Sequence, residues 1–152
     1  MLRLVTFLIL LMLVTPVFCQ VHQNTEGIYC DENGKAFSGI FHQYYPDSIV
    51  REESEIWEGR LEGMSKLYYE DGKVEEVRYF KHGMMDGRWE KWNRQGVKIA
   101  EANYMENVKN GKWFVWDDNG ILRYDMTYDQ GHKTGIWYMY DEKGRVIDKK
   151  VY

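Results

Sequence analysis

Six aromatic side chains carry whatever binding chemistry this sequence encodes: Trp89, Trp92, Trp113, Trp116, Trp137 and Tyr140. They form three pairs whose members stand three residues apart, and the pairs recur every 24 residues. Tryptophan is enriched where partners are gripped. An exposed row of these rings would serve another protein as an apolar strip framed by charge, or a glycan as a set of faces for its sugars. Stacking within the fold is the competing use. Five of the six tryptophans lie between Trp89 and Trp137, and Trp57 stands alone.

Catalysis would need a convergent acid, base or nucleophile, and no such set stands out. His22, His42, His82 and His132 occupy unrelated positions without metal-ligand spacing and read as solvated loop residues. The acidic stretch Asp117-Asp118-Asn119-Gly120 suggests calcium, yet it lacks the later glutamate of a calcium loop and reads as a polar turn. The doublets Glu52-Glu53 and Glu75-Glu76 must face opposite ways along a strand and read as solvated positions. The chain is accordingly expected to be non-enzymatic, with no cofactor and no metal.

The elements that position the aromatic pairs emerge from an internal repeat. Gly39, Gly63, Gly87, Gly111 and Gly135 are spaced by 24 residues without an insertion. Nine residues after each comes Ser48, Gly72, Gly96, Gly120 or Gly144, and two after each comes Phe41, Ser65, Trp89, Trp113 or Trp137. The units close on Ile56, Phe80, Tyr104, Tyr128 and Tyr152, and Gly59, Gly83, Asn107 and Gly131 lead into the next copy. Segments such as Arg88-Trp89-Glu90-Lys91-Trp92 alternate aromatic and charged residues in runs too short for a helix, which is strand patterning. Each is followed by a polar cluster ending in glycine, which suits a type I turn completed by a residue at positive φ.

Residues 39–152 therefore read as five tandem β-hairpins of 24 residues, all-β, in an elongated antiparallel meander of ten strands forming a single-layer twisted sheet. A further strand is expected near Ile28–Cys30, within an N-terminal cap segment spanning residues 20–38. Trp89 and Trp92, three apart, should face opposite sides unless a bulge intervenes, so aromatic ladders belong on both faces. Equivalent rings one hairpin apart are about 10 Å distant. Rings from the intervening strand, such as Tyr104, must fill the gaps.

This unit, Gly-x-aromatic-x-x-aromatic with a turn glycine and a closing aromatic, resembles the MORN repeat, and in particular the variant found in many bacterial proteins. The resemblance covers residues 39–152 and places the family's glycines on Gly63, Gly87, Gly111 and Gly135. Its aromatics fall on Trp89, Trp92, Trp113, Trp116, Trp137 and Tyr140. It implies an elongated hairpin sheet without catalytic activity, acting in protein interaction or occasionally at membranes, and bacterial members are often labelled antitoxins. Ser65 and Ser48 depart from the pattern, so the first two units are the less regular end.

Residues 1–19 follow different rules. Arg3 gives a basic start, Leu4 to Val14 is almost wholly apolar, and Pro16 precedes a polar chain, the layout of a secretory signal peptide cleaved near Cys19 and Gln20. A membrane span wants about 20 apolar residues, and Thr15 and Pro16 interrupt this run. A lipidated Cys19 is the alternative, set against Phe18 where a small residue is usual. The chain is thus expected in the periplasm or outside the cell, a compartment in which a toxin acting in the cytosol would never meet it.

Loss of Arg3 with the leader leaves nineteen basic against twenty-four acidic residues, and no basic run exceeds Lys149-Lys150. That balance argues against nucleic acid and against an anionic membrane surface. Only Cys30 remains after cleavage, so no internal disulfide can form, and a half-buried cap position is expected for it. The partner expected is another protein, with a glycan as the alternative and self-association through open sheet edges as a further route.

Overall fold

The computed structural model describes residues 21–152; the expected leader, its expected cleavage site and Cys19 lie outside the described residues. Among the described residues there is no helix. A two-stranded cap, β1 (His22–Gln23) with β2 (Tyr29–Cys30), precedes one large sheet. That sheet comprises β3 (Gly39–Tyr44), β4 (Val50–Trp57), β5 (Arg60–Tyr68), β6 (Val74–Lys81), β7 (Met84–Trp92) and β8 (Lys98–Met105). It continues through β9 (Val108–Lys109), β10 (Gly111–Trp116), β11 (Leu122–Asp129), β12 (His132–Tyr140) and β13 (Val146–Val151). Strand follows strand in chain order, every pairing is antiparallel, and β3 and β13 are the open edges. The expected meander of five hairpins is present. The ten expected strands become eleven because Asn110 interrupts the ladder between β9 and β10, which both pair with β8.

Two kinds of connection alternate. The five-residue loops, such as Asn93–Val97, close with an N–H of the fourth residue donating to the carbonyl of the first, as from Gly96 to Asn93 at 2.9 Å. Gly72, Gly96, Gly120 and Gly144 all have φ between 72° and 82° there, and Ser48 is held at 68° without a glycine's freedom. The other connections are two-residue turns with both residues at positive φ: Glu58-Gly59, His82-Gly83, Glu106-Asn107 and Gln130-Gly131. This is the type I′ geometry whose twist matches that of paired strands.

The glycines that open the units sit inside strands, at bulges. Between β6 and β7 the register passes from Arg78↔Trp89 to Phe80↔Met85, two residues on one strand against four on the other. The same excess occurs in β5 and β12 against their preceding strands. Gly63, Gly87 and Gly135 take φ of 90°, 107° and 68° at these points.

The bulged backbone receives the next turn. The second turn residue donates its N–H to the carbonyl two residues before the unit's glycine: Gly59 to Phe37, Gly83 to Leu61, Asn107 to Met85 and Gly131 to Lys109, at 2.7–2.9 Å. The first turn residue donates to the side chain just before that glycine: Glu58 to Ser38 Oγ, His82 to Glu62 Oε2, Glu106 to Asp86 Oδ2 and Gln130 to Asn110 Oδ1, at 2.6–3.3 Å. At the opposite end of the sheet, loops are tied to the following unit by Tyr45 Oη donating to the Tyr68 carbonyl and Tyr69 Oη to the Trp92 carbonyl, at 2.8 and 2.7 Å.

Very little is fully buried. Among the described residues the buried hydrophobics are Tyr29, Cys30, Ile56 and Ala102, so Cys30 is buried rather than half-buried. A sheet covered on neither side by a second layer keeps most side chains half-exposed, and each unit leans on its neighbours. Gly111→Val would force a β-branched side chain into positive φ and bring its Cβ to 3.3 Å from Asn103 Cβ. The expected cost is about 2–3 kcal/mol of unfolding free energy, measured by urea titration. An unchanged melting temperature would mean that the glycine spacing has another cause.

Candidate functional site

Strand pleating assigns the six aromatic positions to two faces. The register pairs Trp89 with Ala102, Trp113 with Met126 and Trp137 with Lys150 in one row, the row that also holds Phe41, Ser54 and Ser65. No extra residue separates the members of each pair along β7, β10 or β12, so Trp92, Trp116 and Tyr140 project from the other face.

On the first face the rings form a continuous series. Tyr104, Trp113, Tyr128, Trp137 and Tyr152 follow one another at centroid distances of 5.3, 5.3, 5.1 and 4.6 Å, tilted by 52–62°. The closing tyrosines thus occupy the gaps between tryptophans, as the 10 Å repeat of equivalent strands requires. Trp113 and Trp137 are half-buried, and their indole N–H groups donate to the carbonyls of Asn103 and Thr127 at 3.1 and 2.9 Å, which fixes the ring planes. Such tilted pairs contribute about 0.5–1.5 kcal/mol each beyond burial.

Three lysines lie against this series. Lys109 Nζ is 4.2 Å from the centroid of Trp113 and 4.8 Å from that of Tyr128. Lys133 Nζ is 4.7 Å from Trp137 and 5.0 Å from Tyr152, and Lys150 Nζ is 5.1 Å from Tyr152. Beside them Tyr124, Met126, Trp137, Met139, Lys150 and Tyr152 line a groove of about 260 Å³.

The N-terminal half of the same face is chemically different. Ser65 stands where later units have tryptophan, and its hydroxyl hydrogen-bonds that of buried Ser54 at 2.7 Å. In the neighbouring row of the same face, Glu76 is buried, which corrects the expectation of a solvated carboxylate. Arg78, Lys91 at 2.7 Å and the Trp89 indole at 3.2 Å all donate to it. Burial pushes its carboxyl upward, but these bonds outweigh that effect and hold it below the usual carboxylate range.

The opposite face carries shorter clusters. Lys98 lies 6.0 and 5.8 Å from the Trp92 and Trp116 rings while pairing with Glu90 and Glu101, each at 2.5 Å. Phe114 packs on Trp116 and Tyr138 on Tyr140 along single strands. The four histidines are exposed; His82 lies in a turn, whereas His22, His42 and His132 lie on strands rather than loops. Asp117 accepts the N–H groups of Asn119 and Ile121, both at 3.0 Å, as the polar-turn reading requires. Among the described residues no group of three metal-ligating side chains converges.

Tyr124, Met126, Met139 and the lysines lying on the rings escaped the sequence reading. Stepping by two from Trp137 along its own strand and its partners would have found the first three. The 24-residue spacing of Lys109 and Lys133 was a legible signal for those two lysines.

The family described as the MORN repeat variant matches residues 61–82 and 109–130, two stretches 48 residues apart that each run from one two-residue turn to the next. The match supports reading the chain as a MORN-repeat protein, and such repeats generally serve as protein-binding scaffolds. No curated protein matches the chain.

Replacing Glu76 by Gln should cost about 1–2 kcal/mol at neutral pH. The figure is kept low because Lys91 and Arg78 are about a third exposed and partly screened. A depressed carboxyl stabilises the fold above its ordinary pKa of 4.5 and loses that effect as pH falls through the lower folded-state value. Urea titrations of wild type and variant at several pH values should therefore differ most above pH 4.5 and converge in acid.

Proposed function

We propose that this chain is an exported, non-catalytic repeat scaffold of the bacterial envelope whose last two units bind another protein through the Trp113–Trp137 face. The observation that carries this reading is the half-buried aromatic series flanked by a methionine-lined groove. Its rings are anchored by hydrogen bonds and so are ordered before a partner arrives, which lowers the entropy lost on binding. Methionine supplies an adaptable apolar lining suited to side chains.

A glycan ligand is the second reading, supported by the row of tryptophans. It is less favoured because successive rings are tilted by 52–62° and partly cover one another, which leaves few flat faces for sugar. An immunity role against a toxin delivered into the periplasm is the form of protein binding that agrees with export.

Affinity capture from the envelope fraction of the host, with the full chain as bait, tests the binding. A protein retained by wild type and by Trp92→Ala should be lost with Trp137→Ala, provided both variants keep their melting temperatures. A bait that retains nothing under several mild conditions would count against the reading. Export has its own check: N-terminal sequencing of the chain recovered from its host should begin near Gln20, and a cytosolic chain beginning at Met1 would refute it.

A further inference from the structure

The lysines of the sheet divide between those held by carboxylates and those resting on rings. The lysines that pair with carboxylates are Lys73, Lys91, Lys98 and Lys112. Among the described residues Lys109, Lys133 and Lys150 have no carboxylate partner, and their ammonium groups rest on Trp113, Tyr128, Trp137 and Tyr152 instead. A cation over a ring keeps N–H donors free for an anion, at a site where neighbouring rings displace water. In a chain with more acidic than basic residues, this leaves a local basic strip beside an apolar groove. Asp148 is the one carboxylate lining that groove, and its Oδ1 accepts the Lys149 N–H at 2.8 Å.

We infer that this strip, Lys109, Lys133 and Lys150 with the Trp137–Tyr152 groove, binds an acidic peptide segment in which carboxylates flank an apolar side chain. The inference rests on the protein-binding reading and names the chemistry of the partner. The apolar side chain enters the groove between Tyr124, Met139 and Tyr152, which are 37–40% exposed. The carboxylates meet the ammonium groups. Lys109 and Lys133 are one unit apart, hence about 10 Å, which an extended peptide crosses in roughly three residues. Acidic positions at that spacing, with an apolar residue between or just beyond them, match the strip.

The test is selection of a displayed random dodecapeptide library on the full chain, followed by titration of the selected peptides by fluorescence anisotropy. Selected peptides should combine Asp or Glu with Phe, Leu or Trp. Their affinity should fall at least tenfold in the Lys109→Gln, Lys133→Gln, Lys150→Gln variant and decline with added salt. The corresponding triple Lys→Arg variant, which keeps a cation over each ring, should restore binding and controls for misfolding. Peptides without acidic residues, or equal affinity for the Gln variant, would overturn the inference. So would alginate or phosphatidylglycerol vesicles binding where peptides do not, since these assign the strip to a glycan or a lipid surface. If envelope capture yields a protein partner whose retention ignores the Gln variant, the acidic-ligand inference falls while the protein-binding reading stands. If neither peptide nor protein is retained, both fall.

Discussion

The architecture depends on how each two-residue turn is held by the strand two before it. A type I′ turn presents both of its N–H groups outward, and a regular strand has no spare acceptors at the right spacing to take them. The bulge at each unit's opening glycine supplies them: a freed carbonyl two residues earlier, such as that of Leu61 for Gly83, and a side-chain oxygen one residue earlier, such as that of Glu62 for His82. The chain can make this bulge only where φ is positive, and Gly63, Gly87 and Gly111 meet that demand. Exact 24-residue spacing follows physically, because one inserted residue would displace the turn from its acceptors and reverse the facing of every side chain beyond it.

Once units are joined in this way, the sheet has no second layer to pack against, and its side chains must cover one another. The solution changes along the chain. Near the N-terminus small hydroxyls and a buried carboxylate fill the face: Ser54 against Ser65, then Glu76 under Arg78, Lys91 and Trp89. From Tyr104 onward the same face is filled by rings, each tilted onto the next. A buried carboxylate is tolerated only when donors surround it, and Arg78, which stands opposite Ser65, is one of the three donors to Glu76. Ser65, which departs from the repeat, is used here as the hydroxyl partner of Ser54.

What was legible in the sequence and what was not divide along the same physical line. Backbone demands repeat in every unit, so the opening glycines, the turn glycines and the alternation of strand and loop could be read from spacing alone. Even the exception Ser48 marked a position held at positive φ without glycine. Side-chain environments do not repeat. Glu52 and Glu76 occupy equivalent positions, yet only Glu76 is buried, because its donors come from Arg78 and Lys91, whose equivalents one unit earlier are Ser54 and Leu67. The residues just before each opening glycine, Ser38, Glu62, Asp86, Asn110 and Thr134, share no chemical class beyond an oxygen acceptor, which hid their common place beside the turns. Lys109 and Lys133 were obscured differently, since their equivalents are Leu61 and Met85 and the lysine row exists only in the last two units.

The two ends of the ring-bearing face are also unlike, and the cap explains why. Tyr29 lies 5.1 Å from Phe41 at a tilt of 58°, the relation that Tyr128 has to Trp137 at 5.1 Å and 55°. It is buried, and burial together with the nearby Glu52 carboxylate pushes its phenol above the ordinary value. Three backbone bonds fasten the cap: Tyr29 N–H to Gly59, Phe37 N–H to Tyr29 and Gly59 N–H to Phe37. A side chain on Gly59 would collide with Ile28 and the Tyr29 carbonyl, so the glycine serves the cap as well as its turn. Tyr29 therefore stands in for the closing tyrosine of a preceding unit and covers the first ring of the face. At the other end Tyr152 is 40% exposed and meets Trp137 on one side only. Repetition builds the same backbone five times, and the cap covers Phe41, the first ring of the face. Rings, lysines and groove coincide over β10–β13, so side chains differentiate the ends of a face whose backbone repeats.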